Sequence, residues 1–231
     1  MDYNPGLLAV SSFVLALTLG VRYYNKKQAD ERYANPPLDM NVIKRQYADD
    51  DLSFALYGDS IMRGSYSSDV SIQPTALLQA AIPGSTWFDG TMPGRRLLDL
   101  IPLISPVSFF KTKYTVIEHG VIDSWQGFDV IENYRKVIAR IRAEGSIPII
   151  TGFSHQVVCA TITPEHLQGR DRQNAALQNL AKELNVPFAN LDMVPFYGAD
   201  ELLDGVHPKR EYSDRLVAQI AETVKKAANL K

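Results

Sequence analysis

From Leu52 onward the chain alternates short apolar runs with longer amphipathic stretches. The apolar runs, bounded by turn residues, predict strands over residues 53–57, 86–88, 114–118, 147–151 and 188–191. The amphipathic stretches predict helices over residues 74–81, 95–104, 130–143, 171–184 and 212–228. Their apolar residues recur at helical spacing: Ile131, Tyr134, Ile138 and Ile141 share one face, as do Leu177, Leu180, Ala181 and Leu184. A third stripe runs through Leu216, Ile220 and Val224. Glu144-Gly145 supplies a helix stop before the fourth strand. Strands that alternate with helices in this way predict an α/β fold, a three-layer, doubly wound parallel sheet with helices on both faces. Any site then belongs at the carboxyl ends of the strands.

The N-terminal part reads differently. Residues 6–21 carry no charge, a run of 16 residues, somewhat short of the roughly 20 that usually span a bilayer. Tyr3 precedes it and Arg22, Tyr23 and Tyr24 follow, side chains suited to the headgroup level. The favoured expectation is a hydrophobic membrane-anchor helix over residues 1–25, followed by a polar linker over 26–51 and the main domain over 52–231. A cleaved signal peptide is the less favoured reading, because Asp2 is the only charge ahead of the run and no A-x-A site follows it. A helix packed against protein is the third. Arg22, Lys26 and Lys27 on the C-terminal flank place the main domain on the cytoplasmic side of such an anchor. Short helical pieces are expected around residues 29–33 and 40–47.

Composition narrows the chemistry. The 231 residues are 45% hydrophobic and 22% charged with a formal net charge of −2, so there is no global field to hold nucleic acid. The one cysteine, Cys159, excludes an intramolecular disulfide and is expected to be a small packing residue.

Two segments carry candidate chemistry. The first strand runs into Gly58-Asp59-Ser60, which can present a serine hydroxyl at the sheet edge. Far downstream, Asp204-Gly205-Val206-His207-Pro208 precedes the last helix. Its spacing lets the carboxylate reach Nδ1 of the imidazole and leaves Nε2 for the serine, and Pro208 restricts the backbone of His207. Each segment alone is an ordinary turn; together they hold a nucleophile, a base and an orienting acid. Gly94 ends a short strand-to-helix turn and can offer a bare N–H. Gly120 ends the third strand in Gly120-Val121-Ile122-Asp123, where Asp123 is expected to cap the loop or the segment after it.

In order and placement these motifs resemble the SGNH, or GDSL, hydrolase family, over the chain from about Leu52 to its C-terminus. The resemblance implies a serine ester hydrolase, an esterase or deacylase for a small acyl ester such as an O-acetylated carbohydrate or a lipid. It implies Ser60 as nucleophile, His207 and Asp204 as the rest of the triad, and the Ser60 and Gly94 N–H groups as oxyanion donors. Asp59, Gly120, Ile122, Asp123 and Trp125 are candidate pocket residues. No cofactor and no metal are expected, and no nucleic-acid partner.

The third motif departs from the family pattern. Where the family has G-x-N-D, Ile122 stands in the asparagine position and cannot donate a hydrogen bond. His119 and Ser124 are the nearby side chains that can compensate. The stretch around Asp89-Gly90 also fits the second motif imperfectly. Ile122 is the main support for the alternative, a weakly active or non-catalytic membrane-tethered binding or assembly protein on the same scaffold. Among the remaining residues, Trp125 and Phe128 line a pocket or pack in the core, and Arg95-Arg96 is a solvated helix start or an anion contact. His155 and His166 are expected in a long irregular segment over residues 153–169, without metal-ligand spacing.

Overall fold

The computed structural model describes residues 44–100 and 111–230. The expected N-terminal anchor, the helical piece at 29–33 and most of the linker lie outside the described residues. Residues 44–48 are not helical. They are bonded to the domain: the Arg45 N–H donates to the Glu144 carbonyl at 2.9 Å, and Lys113 Nζ donates to the Ala48 and Asp49 carbonyls.

Five parallel strands form one sheet: β1 (Ser53–Gly58), β2 (Thr86–Asp89), β3 (Tyr114–Glu118), β4 (Ile147–Thr151) and β5 (Phe188–Ala189). The order is β2-β1-β3-β4-β5, so the chain steps outward on one side of β1 and then returns to continue on the other. The reversal lies between β1 and β3, where open α/β sheets form their ligand crevice. The inner strands are buried on both faces, which is why they read as continuous apolar runs. Phe54 of β1 stacks between Trp87 of β2 at 4.7 Å and Tyr114 of β3 at 4.9 Å, a ring ladder that ties three strands.

The helices are α1 (Ser60–Arg63), α2 (Pro74–Ala81), α3 (Leu97–Leu100), α4 (Val121–Trp125), α5 (Val130–Ala143), α6 (Pro164–Leu184) and α7 (Arg210–Ala227). Helices α2 and α7 pack on each other on one face of the sheet; α3, α4, α5 and α6 form a connected layer on the other. On α5 the buried stripe is Val130, Tyr134, Val137, Ile138 and Ile141, and Ile131 lies at its margin. Asp129 caps that helix by accepting the Ile131 N–H.

Beyond shifts of one or two residues at the ends of β1, β2 and α7, four assignments differ from expectation. Leu191 belongs to a 3₁₀ turn, not to β5. Helix α3 starts at Leu97, so Arg95 and Arg96 precede it, and residues 101–104 lie outside the described ones. Residues 121–125 are helical rather than loop. Helix α6 begins at Pro164, seven residues ahead of the expected start, because Thr163 and His166 close a reciprocal capping box. His166 is thus a helix residue and not part of an irregular segment.

Candidate active site

Ser60 is the first residue of α1, directly after β1. Its position rests on Gly58, where an added Cβ would come within 2.5 Å of Met62 Cβ and 3.1 Å of Glu118 Oε2. A side chain there would push the turn off the sheet. Asp59 caps α1 with its Oδ1, which accepts the Ile61 N–H at 2.8 Å.

The other half of the site is the loop from Glu201 to Lys209, which folds back on itself. The Leu203 N–H donates to the His207 carbonyl at 2.8 Å, and the Lys209 N–H to the Glu201 carbonyl at 2.7 Å. Arg215 of α7 and the Tyr197 N–H both hold the Glu201 carboxylate. Gly205 has φ +86 and sits against Cys159 Sγ and the Val157 carbonyl, so a side chain there is both strained and blocked. The Val157 N–H donates to the Gly205 carbonyl at 3.0 Å and docks this loop on the segment after β4.

These two halves meet. His207 Nε2 lies 2.8 Å from Ser60 Oγ, and His207 Nδ1 lies 2.7 Å from Asp204 Oδ2. The carboxylate can only accept, so Nδ1 carries the proton and Nε2 is left to accept from the serine hydroxyl. Asp204 Oδ1 also accepts the Val206 and His207 N–H groups, at 3.1 and 2.9 Å. Burial pushes the Asp204 carboxyl upward, but these N–H groups and the imidazole outweigh it, and the group titrates below the ordinary aspartate range. It remains a carboxylate at neutral pH.

The Ser60 N–H and the Gly94 N–H have no backbone acceptor among the described residues. Gly94 has φ +71, and an added Cβ there would meet nothing within 4 Å. Its turn is fixed from both ends: the Met92 N–H donates to the Gly58 carbonyl at 2.7 Å, and Asp123 Oδ2 accepts the Leu97 N–H at 2.8 Å. Asp123 therefore caps α3 across the layer, rather than the loop or the following segment that the sequence suggested.

Of the candidate pocket residues, three face the interior. Asp59 and Asp123 are buried, and Gly120 is packed against Val130 and Phe153. Ile122 and Trp125 are half-buried on α4. The Trp125 indole N–H donates to Gln156 Oε1 at 3.1 Å and its ring stacks on His166. Neither proposed substitute for the missing asparagine serves. Ser124 Oγ donates to the Val121 carbonyl at 2.7 Å. His119 is fully buried, and burial pushes its imidazole down to about 4 against a weaker pull from the Arg95 backbone, so it is neutral and enclosed. His155 is a structural residue: its ring stacks on Phe196 and its Nε2 contacts the Asp192 carbonyl. Arg96 pairs with Asp99 and lies over the Phe128 ring. Among the described residues no cluster of side chains is suited to a metal ion, and no helix is long and apolar enough to cross a membrane.

Glu118, which no motif marked as a candidate, is fully buried, and its carboxylate accepts the Asp59 N–H. Its signal was an acidic residue closing a strand that carries no other charge.

A model of the GDSL-like Lipase/Acylhydrolase family matches residues 56–215. The chain belongs to that family. It is a hydrolase acting on ester bonds. Three similar solved structures share its fold. A lipolytic protein of the G-D-S-L family from Veillonella parvula is 19% identical with a TM-score of 0.61, over 74% of this chain and 96% of that one. A carbohydrate acetylesterase family member from Sinorhizobium meliloti is 15% identical with a TM-score of 0.64, over 77% and 99%. The psychrotrophic esterase EstA from a Pseudoalteromonas species is 16% identical with a TM-score of 0.62, over 78% and 100%. No curated protein sequence matches the chain.

Proposed function

We propose that this hydrolase cleaves a small acyl ester through a Ser60-His207-Asp204 triad. The observation that carries the reading is the unbroken hydrogen-bond relay from Asp204 through the imidazole to Ser60 Oγ. Ser60 Oγ attacks the ester carbonyl carbon while His207 Nε2 takes its proton, and Asp204 holds the imidazolium in orientation. The carbonyl oxygen becomes an oxyanion that the Ser60 and Gly94 N–H groups can receive. As the tetrahedral intermediate collapses, the alcohol leaves with the proton from His207 and the acyl group stays on Ser60. Water then attacks the acyl-serine with His207 again as base, and the carboxylic acid departs. With Ile122 in the asparagine position, the oxyanion has backbone donors and no amide side chain, which favours esters with good leaving groups.

The acyl group is small in this reading, with an O-acetylated carbohydrate or a lipid ester as the substrate class. The acetylesterase and esterase likenesses support that class. Residues 6–21 are proposed as a membrane anchor, with the hydrolase domain on the cytoplasmic side because Arg22, Lys26 and Lys27 flank the run. Protease digestion of intact cells and of spheroplasts tests the placement: a domain cleaved in spheroplasts contradicts it. For the reaction, p-nitrophenyl acetate hydrolysis is compared between the full chain and Ser60→Ala. A loss of about 10³-fold or more is expected. Equal rates would overturn the triad.

A further inference from the structure

Beneath the nucleophile lies a pair of acids that the triad does not use. Glu118 ends β3 in register with Gly58 of β1, and its side chain folds back under the turn that carries Ser60. Glu118 Oε2 and the Glu118 carbonyl share the Asp59 N–H, at 3.3 and 3.2 Å. Asp59 and Glu118 are both almost fully buried, at 1% and 0% exposure. Each keeps one buried oxygen, Asp59 Oδ2 and Glu118 Oε1, without a hydrogen-bond partner among the described residues. Two unpaired carboxylates side by side in a dry interior repel each other and are poorly solvated, so such a pair retains a proton.

Building on the proposed triad, we infer that Asp59 is a positioning residue whose buried carboxylate supports protonated His207 from below, while Glu118 is held beside it as the neutral acid. Geometry distributes the roles. Asp59 accepts the Ile61 N–H at the start of α1, an interaction that favours its charged form. Glu118 accepts one long bond, and its remaining oxygen faces the interior. Asp204 is 55% exposed at its side chain, so water screens its charge. Asp59 directly precedes Ser60, whose Oγ lies 2.8 Å from His207 Nε2, and it is itself buried, so its charge acts on the imidazole through a drier medium, where it counts for more.

The electrostatic surroundings agree. Asp59 is raised to about 7 in all: burial pushes it up, the Ile61 N–H and the charge of His207 offset part of that, and Asp123 adds a smaller upward push. Glu118 is driven well above its ordinary range by burial and by Asp59 itself. The titratable groups whose charge acts on the pair are Asp123 of α4, Tyr134 of α5 and His207 of the loop before α7. Of these, His207 is the one that gains positive charge during Ser60 attack. A negative Asp59 favours that state, and protonation of Asp59 removes the support.

The test is the acidic limb of kcat/KM for p-nitrophenyl acetate hydrolysis by the full chain, between about pH 4 and 9. Asp59→Asn keeps an N-cap oxygen for Ile61 but carries no charge. It is expected to lower kcat about tenfold on the plateau and to move the limb to lower pH by at least half a unit. The sign is fixed: without the anion, the imidazole loses its proton at lower pH, and the titration of Asp59 itself disappears. Asp59→Ser, also a capping residue, repeats the measurement should the asparagine variant fold poorly. Glu118→Gln imitates the neutral acid and is expected to leave the limb at its wild-type pH, whatever its plateau. A wild-type limb in both Asp59 variants overturns the inference. So does a limb that moves as far in Glu118→Gln as in Asp59→Asn. Loss of activity in Ser60→Ala with an unmoved limb in Asp59→Asn refutes this inference alone; activity in Ser60→Ala refutes the triad instead.

Discussion

Ile122 is the residue that most directly limits the proposed reaction. The resemblance to a known hydrolase pattern made its position conspicuous, because an asparagine amide is expected there. The structure adds that neither neighbouring side chain replaces it: Ser124 Oγ is committed to Val121, and His119 is enclosed. One oxyanion donor is typically worth on the order of 10²–10³ in rate. Ile122→Asn is therefore expected to raise kcat for p-nitrophenyl acetate by roughly 10- to 100-fold. An unchanged kcat in a variant of native thermal stability would show that the donor set is already complete. At this scale the proposed triad of Ser60, Asp204 and His207 could be read from the sequence because its chemistry is written in residue type and short spacing. Glu118 was harder to read: an acid at the end of a strand marks it out, but that it points into the interior follows only when β1 and β3 are placed side by side. The inward direction of Asp59 and Asp123 was hidden for the same reason.

At the scale of elements, the site is assembled by caps as much as by the sheet. Asp123, on α4, holds the first N–H of α3 and with it the turn that presents Gly94. Asp123→Ala would leave that buried N–H without an acceptor, at a cost of about 1–3 kcal/mol. It is expected to lower kcat/KM for the acetate ester about tenfold through a loosened Gly94 turn, with Asp123→Asn recovering most of the loss because an amide oxygen can still accept. Full activity in the alanine variant would separate α4 from the site. Strands β3 and β4 and helices α2 and α5 were readable to the residue, since buried parallel strands are uninterrupted and α5 presents a clear apolar stripe. Helix α6 was read short. Its first turns are polar and contain Gly169, so hydrophobic periodicity is silent there, and the start is announced only by Thr163-Pro164-Glu165-His166. Helix α4 is too short for periodicity to register.

For the whole molecule, the consequence of so much buried ionisable chemistry is a displaced pH of maximum stability. His119 is neutral in the fold with its proton affinity lowered to about 4, so stability is lost as pH falls from its unfolded value near 6.5 toward 4. The buried acids act in the opposite sense. Asp59 is raised from 3.8 to about 7, and Glu118 and Asp123 are also raised by burial. Their contribution is complete below the unfolded carboxyl values and is lost as pH rises through their folded ones. Three acids against one histidine place the optimum on the acid side of neutrality. The Tm is expected to fall between pH 5.5 and pH 8 by at least about 3 °C, with 1 kcal/mol corresponding to about 2–4 °C at this size. Asp59→Asn should flatten that fall, and a Tm that rises over the same interval would contradict the ionisation pattern.

The sheet order and the meeting of an early turn with a late loop are properties of the whole chain, and they carry the functional account. In the proposed reaction everything depends on Ser60 being a nucleophile activated by His207. The most direct measurement is covalent labelling of the full chain by a fluorophosphonate, read by mass spectrometry of the modified peptide. One adduct is expected, on Ser60, formed at a rate that drops about 10³-fold or more in His207→Ala. An unmodified Ser60, or labelling that proceeds undiminished without the imidazole, would contradict it.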